Sequence, residues 1–494
     1  MVKSIQHFSE ISIGVFDKII TDFYKNPTDM ASFVTGITNE LHKVGLLLIE
    51  ETLEEMDQMI CKSGKRRREW VIEKHLKDNE RKELLTSLGT VRFSKTLFTN
   101  KETGESCFLL DRILGLEKNE RITEDAEARM LEEAVQTSYR RGGENTSLTD
   151  SVSKQTVMNK IHRLEFPQGW KAPTIRKVAD YLYIEADEDH IALQYREHKG
   201  DLVRTENGSK NNNAITKLIY VHEGIEPEAP KSKRNKLISP HYFSRTAEGC
   251  SNRELWDNVY RYIEETYDLE HVKRIYLSSD GGGWITAGRR QISGLIHVLD
   301  RYHLEKHLTK LTGHLKENSQ EARKELYRQI CRGTKQDFAR YVQKLKESLP
   351  EGYNLEKYEA SEEYILNNWP AARYRLVKME GKVGSSTEGH VSHVLSSRMS
   401  TQALGWSLIG ADKMAQLRAY YLNGGDMLEL VRYQKEELPM AAGGEGESYL
   451  SASEMQRSEK SKHREIGKYV DAMSHHLSDS IKKKAVFQYH IWGI

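Results

Sequence analysis

Apolar residues recur at intervals of three and four along residues 37–77, and this spacing predicts one buried face of an α-helix. Leu46, Leu53 and Ile60 belong to that face, and no proline interrupts the segment. We therefore expect residues 1–88 to form a helical N-terminal region that packs against, or associates with, other helices.

A second amphipathic pattern lies at residues 153–164, in a region of residues 89–174 that begins with a strand-like segment. Ser153 is a suitable N-cap, while Val157, Ile161 and Leu164 fall on one face of the helix. The opposite face carries amides and cations, namely Lys154, Gln155, Asn159 and His162.

Helices expected at residues 124–139 and 148–152 would complete a helix-turn-helix with this segment. Amides on such a recognition helix can bond adenine edges, and cations can hold phosphates. An ordinary amphipathic surface helix shows the same pattern, so the pattern alone leaves both interpretations open.

Between residues 175 and 307 the pattern changes to short apolar runs that predict strands. The expected strands are residues 181–187, 191–195, 215–221, 272–277 and 295–299, with a helix before the fourth and a short helix before the fifth. Three strands, helix, strand, helix and strand are the order of a ribonuclease H-like sheet. We therefore expect an α/β catalytic domain at residues 175–400.

The segment of about residues 308–380 is predicted to be a helical insertion in this domain. Trp369 is expected to be buried and to anchor the insertion, although stacking on an unpaired base is an alternative. Residues 401–494 would form a C-terminal region whose role the pattern does not indicate.

Composition narrows the class of protein. A chain of 494 residues suggests roughly three domains at about 150 residues each. No apolar run approaches the roughly 20 residues that a membrane span needs. The four cysteines form no C-x-x-C pair, which argues against a zinc knuckle or a disulfide framework and favours a reducing cytoplasm. The net charge of +1 excludes a uniformly basic nucleic-acid binder but not one with basic patches.

Carboxylates end several of the predicted elements. Asp187, Asp280 and Asp300 each follow an apolar run, and Glu388 stands at a predicted helix start. Two divalent ions about 4 Å apart can activate the nucleophile and stabilise the leaving oxygen of a phosphodiester. Mg²⁺ and Mn²⁺ prefer hard oxygen ligands, so these acids suit such a site.

Each acid also has a purely structural explanation. Asp280 could begin the turn through the three following glycines, and Glu388 could favour the helix dipole. Asp189 is an alternative to Asp187 as the first acid of the site, and Asp187 is preferred because it lies at the end of the predicted strand. A zinc peptidase is disfavoured because His303 and His307 give H-x-E-x-H rather than H-E-x-x-H.

Four segments resemble a known family, the DDE-type insertion-sequence transposases of the ISLre-type group, which has also been catalogued as an uncharacterised bacterial protein family. They are Tyr-Ile-Glu-Ala-Asp-Glu-Asp-His at 183–190, Ser-Asp-Gly-Gly-Gly-Trp-Ile at 279–285, Leu-Asp-Arg-Tyr-His-Leu-Glu-Lys at 299–306 and Ser-Ser-Thr-Glu-Gly-His-Val at 385–391. Asp300 and His303 also match the [C/D]-x-x-H signature of the related Mutator-like transposases.

This resemblance implies a transposase that binds terminal inverted repeats, cuts DNA and joins the freed ends to double-stranded target DNA. Asp187, Asp280 and Glu388 would hold Mg²⁺ or Mn²⁺, with two ions expected, and Asp300 and His303 would support them.

The resemblance also implies a location in a bacterial cytoplasm, near the nucleoid, and contacts with DNA and with further copies of the chain. Arg301 and Lys306 would contact phosphates, and Lys154, Gln155 and Asn159 would read the repeat. A dimer or larger homo-oligomer is expected, because both element ends must be joined. A repeat-binding regulator without catalysis, and a nuclease or resolvase that does not join strands, are the alternatives.

Overall fold

A computed structural model describes residues 3–436, apart from residues 65–68, 77–79, 118, 204–210, 386 and 402–404, and without the side chains of residues 289, 290, 387, 388 and 436. The chain divides into two compact units. Unit 1 comprises residues 1–131, 140–153 and 435–494, and unit 2 comprises residues 132–139 and 154–434. The predicted C-terminal region therefore lies outside the described residues from residue 437 onward.

Unit 1 combines helices with short antiparallel strands. Its helices are α1 (Lys3–His7), α2 (Ile13–Lys25), α3 (Met30–Lys62) and α4 (Leu109–Ile113), with a π-helical turn at Phe8–Ser12. Its strands are β1 (Trp70–His75), β2 (Lys82–Leu85), β3 (Thr90–Phe93), β4 (Thr96–Asn100) and β5 (Ser106–Phe108). Two further helices, α5 (Glu124–Gln136) and α6 (Tyr139–Glu144), follow in the chain.

The helical prediction for residues 37–77 is correct only as far as Lys62. Ser63 caps α3 by donating its backbone N–H to the carbonyls of Met59 and Ile60, and β1 begins at Trp70. Ser63 and Gly64 are poor helix residues, and the β-branched pair after Trp70 favours a strand. The region predicted to be helical up to residue 88 thus also contains β1 and β2.

Unit 2 contains an α/β sheet and many helices. The helices begin with α7 (Lys154–Arg163), α8 (Asn252–Thr266), α9 (Gly283–Thr286) and α10 (Arg301–Thr312). They continue with α11 (Ser319–Arg332), α12 (Lys335–Lys346), α13 (Leu355–Asn367), α14 (Trp369–Leu376), α15 (Thr387–Val391), α16 (Ser397–Met399), α17 (Leu408–Leu422) and α18 (Met427–Glu436). The strands are β6 (Tyr181–Ala192), β7 (Asn213–His222), β8 (Ile225–Pro227), β9 (Asn235–Leu237), β10 (His241–Thr246), β11 (Arg274–Ser279) and β12 (Leu295–Leu299).

Five of these strands form one sheet in the order β10-β7-β6-β11-β12. β6 pairs antiparallel with β7, and β7 antiparallel with β10. β6 and β12 both run parallel to β11. The expected α/β class is therefore confirmed, and the first and fourth predicted strands are neighbours at the centre of the sheet, as expected.

Two strand predictions are wrong. β6 is one strand of twelve residues, so Asp187 does not end it, and residues 191–195 do not form a separate strand. The polar residues at 187–190 break the apolar run but not the strand, because each pairs with a residue of β7, as Asp189 does with Thr216. The third strand of the sheet is instead β10, which pairs along the opposite edge of β7.

The two faces of the sheet are covered differently. Leu182, Ile184 and Ala186 of β6 lie in the core with α8, whose apolar face includes Trp256 and Val259. Since side chains alternate along a strand, Tyr183, Glu185 and Asp187 point to the other face. There Tyr183 packs with Tyr276 and Val298, and Met379 and Val383 lie against them.

The predicted insertion forms a helical core of its own from α10 to α14. Trp369 is buried in it and meets Phe338 edge to face at 5.4 Å between ring centroids. The expected burial of Trp369 within the insertion is confirmed. No helix within the described residues is both long and apolar enough to cross a membrane.

Candidate active site

Three aspartates lie at the same level on three adjacent parallel strands. Ser278 of β11 is the Cα partner of Glu185 of β6, and extending this register by two residues brings Asp280 level with Asp187. Ser279 pairs with Leu299 of β12, so the next residues, Asp280 and Asp300, are also level. The register of the parallel strands therefore places Asp187, inside β6, beside Asp280 and Asp300, which directly follow β11 and β12.

Asp187 differs from its expected setting, because β6 continues beyond it. Its neighbour β11 ends at Ser279, so the edge of β6 next to Asp187 carries no further paired strand on that side. Asp187 Oδ1 accepts a hydrogen bond from the backbone N–H of Glu188 at 2.9 Å. Asp189 Oδ2 instead accepts one from Ser400 Oγ at 2.7 Å. The register with Asp280 and this separate partner of Asp189 favour Asp187 as the acid of the site.

Asp280 begins the turn after β11, which is the structural role considered for it. Its Oδ1 accepts a hydrogen bond from the backbone N–H of Gly282 at 2.8 Å, which fixes the turn after β11. Gly281 in this turn has φ of +87°, a conformation that favours glycine. A Cβ at Gly281 would also come within 2.3 Å of Asn368 Oδ1. The turn therefore orients Asp280 and also requires glycine.

Asp300 and His303 form an ion pair at the start of α10. Asp300 is the N-cap and accepts a hydrogen bond from the His303 backbone N–H at 3.2 Å. His303 Nδ1 lies 3.4 Å from Asp300 Oδ2. Asp300 raises the pKa of His303, and the charges of Asp187 and Asp280 add to this effect. Burial favours a neutral Asp300, but its bonds to His303 lower its pKa overall. The pair thus favours an imidazolium facing three carboxylates.

Glu388 lies on α15, at the predicted helix start, and its side chain is outside the described part of the chain. The helix is held on the sheet by His390, whose ring stacks on Tyr220 of β7 at 4.9 Å between centroids. Just before the helix, Ser385 Oγ donates a hydrogen bond to Glu185 Oε2 at 3.2 Å. These contacts bring the Glu388 backbone to the face of the sheet that carries Asp187.

Glu185 is a functional candidate that sequence reasoning missed. Its side chain is only 2% exposed and accepts hydrogen bonds from Tyr220 Oη at 2.7 Å and from Ser385. His222 Nε2 lies 3.3 Å from its other oxygen. The alternation of β6 was the available signal, because it puts Glu185 and Asp187 on one face. Glu185 therefore connects the central strand to the segment that leads into α15.

Two residues of the helical insertion were also missed. Arg375 on α14 donates hydrogen bonds from Nε to the carbonyl of Leu299 at 2.6 Å and from Nη2 to Ser278 Oγ at 2.9 Å. Tyr364 on α13 donates its hydroxyl to the carbonyl of Asp280. No local pattern marks either residue, since both partners of each bond are distant in sequence. The insertion thus holds the ends of β11 and β12 directly.

The ring of His307 packs against the helical insertion. It stacks on Tyr364 at 3.9 Å with an interplanar angle of 10°. Burial lowers the pKa of His307 to about 4, so the ring is neutral near pH 7.

The predicted DNA contacts all lie on exposed helical positions. Lys154, Gln155 and Asn159 are exposed on α7, and Gln155 Nε2 donates a hydrogen bond to Asn159 Oδ1 at 3.0 Å. Arg301 and Lys306 are exposed on α10. These five roles stay predictions.

The helix-turn-helix prediction needs correction in detail. Val157 and Ile161 are buried, as expected, but residues 148–152 are not helical, and the preceding helix is α6. Residues 148–152 include an aspartate and two threonine or serine positions that favour turns over helix. His162, assigned to the polar face, is half-buried, and a Cβ at Gly410 of α17 would meet its Nε2 at 2.6 Å. The motif as a whole stays a prediction.

The donor chemistry of the site fits Mg²⁺ or Mn²⁺. The three aspartates offer hard carboxylate oxygens, which these ions prefer. The described side chains at this edge do not bring three ligand atoms within 4.8 Å of one another. Carboxylates repel one another when no cation lies between them, which keeps their oxygens apart. A site for two ions also spreads its ligand atoms over more than one group of three. The oxygen-only donor set is therefore the observation that supports the fit.

Comparison with known proteins places the chain in a family. The model of an uncharacterised protein family, UPF0236, matches residues 24–437. The chain belongs to the UPF0236 family. A UPF0236 protein of Caldanaerobacter subterraneus subsp. tengcongensis, whose name joins eleven designations, is 32% identical over 438 residues, covering 89% of this chain and 86% of the relative. A second UPF0236 protein of that organism, whose name joins four designations, is 31% identical with the same coverage.

One solved structure, the Drosophila P element transposase strand transfer complex, is also similar to part of the UPF0236 chain. The match covers 67% of this chain and 84% of that one, at 12% identity and a TM-score of 0.24. A similarity of this size supports no conclusion about fold or function.

Proposed function

We propose that this UPF0236 protein is a DDE-type transposase of an insertion sequence, which cleaves DNA at the element ends and transfers the strands to a target. The observation that carries the proposal is the common level of Asp187, Asp280 and Asp300 on three adjacent parallel strands. The strand order β10-β7-β6-β11-β12, with the first three strands antiparallel and the last two parallel to β6, supports a ribonuclease H-like core.

The relatives add an independent argument. Names that join eleven and four designations indicate many similar copies of one protein in a single organism. Repeated copying of a mobile element produces such a set. A protein with a fixed housekeeping role rarely needs so many copies.

Asp187, Asp280 and Glu388 would hold the metal ions, which would activate the attacking oxygen and stabilise the leaving oxygen of the phosphodiester. The turn at Gly281 and Gly282 orients Asp280, while Tyr364 fixes its carbonyl. These contacts would keep the carboxylate in place as the metal charge and the DNA arrive.

Asp300 and His303 would position the site from its edge. His303 lies with its Nδ1 3.4 Å from Asp300 Oδ2, and its ring would donate a hydrogen bond to a phosphate oxygen. Arg301 and Lys306, exposed on the same helix, would contact the neighbouring backbone phosphates of the DNA.

The test uses labelled DNA that carries the flanking ends of the element. Wild-type protein with Mg²⁺ should cleave at the ends and join the product to a second DNA. Asp280→Asn should lose at least about a hundredfold in rate, equivalent to about 3 kcal/mol of transition-state stabilisation. Asp257→Asn, an exposed aspartate on α8, is the matched control and should keep full activity.

Further variants decide the finer assignments. Asp187→Asn should abolish cleavage, whereas Asp189→Asn should retain it. DNA binding without wild-type cleavage would favour a regulator, and cleavage without joining would favour a nuclease or resolvase. Full activity of Asp280→Asn would refute the proposed site.

Self-association is part of the proposal, and α3 offers a surface for it. Apolar residues on this helix alternate at intervals of four and three, the heptad spacing of a coiled coil: Met30, Val34, Ile37, Leu41, Val44 and Leu48. Four of them, Met30, Val34, Leu41 and Leu48, are about half exposed. The variant Leu41→Ser/Leu48→Ser should dissociate a dimer in light scattering, whereas Ile175→Ser, which alters an exposed apolar residue of unit 2, should not. A variant that stays dimeric would exclude α3 as the interface.

A further inference from the structure

Unit 1 contains a cluster of metal-binding side chains of a different chemical kind. Asp57 and Cys61 stand one turn apart on α3, which places them on one face of the helix. His75 ends β1. One carboxylate oxygen, the thiol sulfur and one ring nitrogen of these residues all lie within 4.8 Å of one another.

Thr96 of β4 lies at the centre of this cluster. Its hydroxyl is 2.6 Å from Asp57 Oδ2, 2.8 Å from His75 Nδ1 and 3.3 Å from Cys61 Sγ. Its backbone N–H donates to Asp57 Oδ1 at 3.0 Å. Asp57 is buried, while His75 is exposed, so the cluster opens to solvent on the histidine side.

We propose that Asp57, Cys61 and His75 bind a divalent transition-metal ion, with Zn²⁺ as the best match, and that this site stabilises unit 1. Sulfur, nitrogen and oxygen donors together suit Zn²⁺ and do not suit Mg²⁺. The inference is independent of the carboxylate site in unit 2.

The distances are compatible with coordination after a small adjustment. Zn²⁺ binds sulfur at about 2.3 Å and nitrogen or oxygen at about 2.0–2.2 Å, so tetrahedral ligand atoms lie about 3.3–3.8 Å apart. Cys61 Sγ is 3.9 Å from Asp57 Oδ2, close to that spacing. The exposed His75 side chain can supply the remaining movement, and the Thr96 hydroxyl can stay bonded to Asp57 beside the metal.

The environment of Asp57 also favours a cation. The Asp57 carboxylate is buried and accepts two hydrogen bonds from Thr96. A buried carboxylate of this kind gains from a bound positive charge. The metal would join the last turns of α3 to the end of β1, and so bridge the segment that connects this helix to this strand. Through the hydrogen bonds of Thr96 it would also be linked to β4. Closing that connection in the folded state would stabilise unit 1.

The experiment measures metal content and spectra, so it does not depend on DNA cleavage. The full chain, without a histidine tag, is stripped with a chelator and titrated with Zn²⁺, or with Co²⁺ as a spectroscopic probe, in excess Mg²⁺. We expect one bound equivalent and a thiolate-to-cobalt charge-transfer band. Chelation should lower the thermal midpoint of the wild type.

Matched variants separate this site from other sites. Cys61→Ser should lose the band, and His75→Ala should weaken binding at least tenfold, while circular dichroism verifies that both variants fold. Cys107→Ser, which alters a half-buried cysteine of the same unit, should keep both the band and the affinity. Asp280→Asn should also keep them, whether or not DNA is cleaved.

Absence of stoichiometric Zn²⁺ binding by the wild type would overturn the proposal, and the cluster would then be a hydrogen-bond network around Thr96. Equal binding by Cys61→Ser would overturn it as well. Since His75 is exposed, His75→Ala is expected to fold even if Cys61→Ser does not. Unchanged Zn²⁺ affinity of a folded His75→Ala would also overturn the proposal.

Discussion

Arg375 is one of the two residues named above through which the helical insertion holds the proposed active site, and its replacement should destabilise the protein. Arg375→Met keeps most of the side-chain volume but removes the bonds to the Leu299 carbonyl and to Ser278 Oγ. Hydrogen bonds to a charged group contribute about 1.5–3 kcal/mol each, so two give about 3–6 kcal/mol. Burial lowers the pKa of Arg375, which shows that burying its charge has a cost that methionine avoids. We therefore expect the lower end of the range, about 3 kcal/mol.

Urea unfolding, followed by circular dichroism, measures this loss. Arg373→Met is the matched control, since Arg373 lies on the same helix and is partly exposed, and it should change the free energy of unfolding by less than about 0.5 kcal/mol. Arg375→Met should also slow Mg²⁺-dependent cleavage, because Leu299 and Ser278 stand next to the segments that carry Asp300 and Asp280. A free energy of unfolding equal to that of the wild type would refute the reasoning.

Three further predictions concern stability. Burial lowers the pKa of His241 to about 4, so the unfolded chain binds a proton more readily than the folded chain below about pH 6.5. The free energy of unfolding should therefore fall from about pH 6.5 toward pH 4, and His241→Phe should lose this part of the fall in urea titrations at pH 7 and 5. Trp369→Ala should cost about 3–5 kcal/mol by calorimetry, because the buried ring packs on Phe338, and a loss under about 1 kcal/mol would contradict that packing. Gly288→Ala should lower the thermal midpoint, since a Cβ would come within 2.5 Å of the fully buried Trp256 ring, and an unchanged midpoint would show that the ring can move.

The sequence by itself determined the local elements and their buried faces. The apolar spacing of α7 correctly marked Val157 and Ile161 as buried. The short runs before Asp280 and Asp300 correctly marked β11 and β12. Periodicity has this power because the side chains of one helix or strand share a face whatever that face packs against. It also placed Asp280 and Asp300 directly after β11 and β12, which suffices to nominate a site.

Only the tertiary structure decided which distant segments meet. β6 continues past Asp187 because β7 supplies hydrogen-bond partners, and β10 became the third strand of the sheet by pairing with β7. Arg375 bonds to residues far away in the chain, so no local pattern could mark it. The alternation of β6 puts Glu185 on the same face as Asp187, but only the fold brings Ser385 to it.

The cluster of Asp57, Cys61 and His75 illustrates the same limit. No C-x-x-C pair marks this cluster, because its three side chains come from two elements that the fold brings together. The spacing of residues along the chain predicts which side chains are neighbours on one helix or strand. A site built from several elements depends on how those elements pack together. That packing is set by many weak contacts at once and is therefore absent from any single motif.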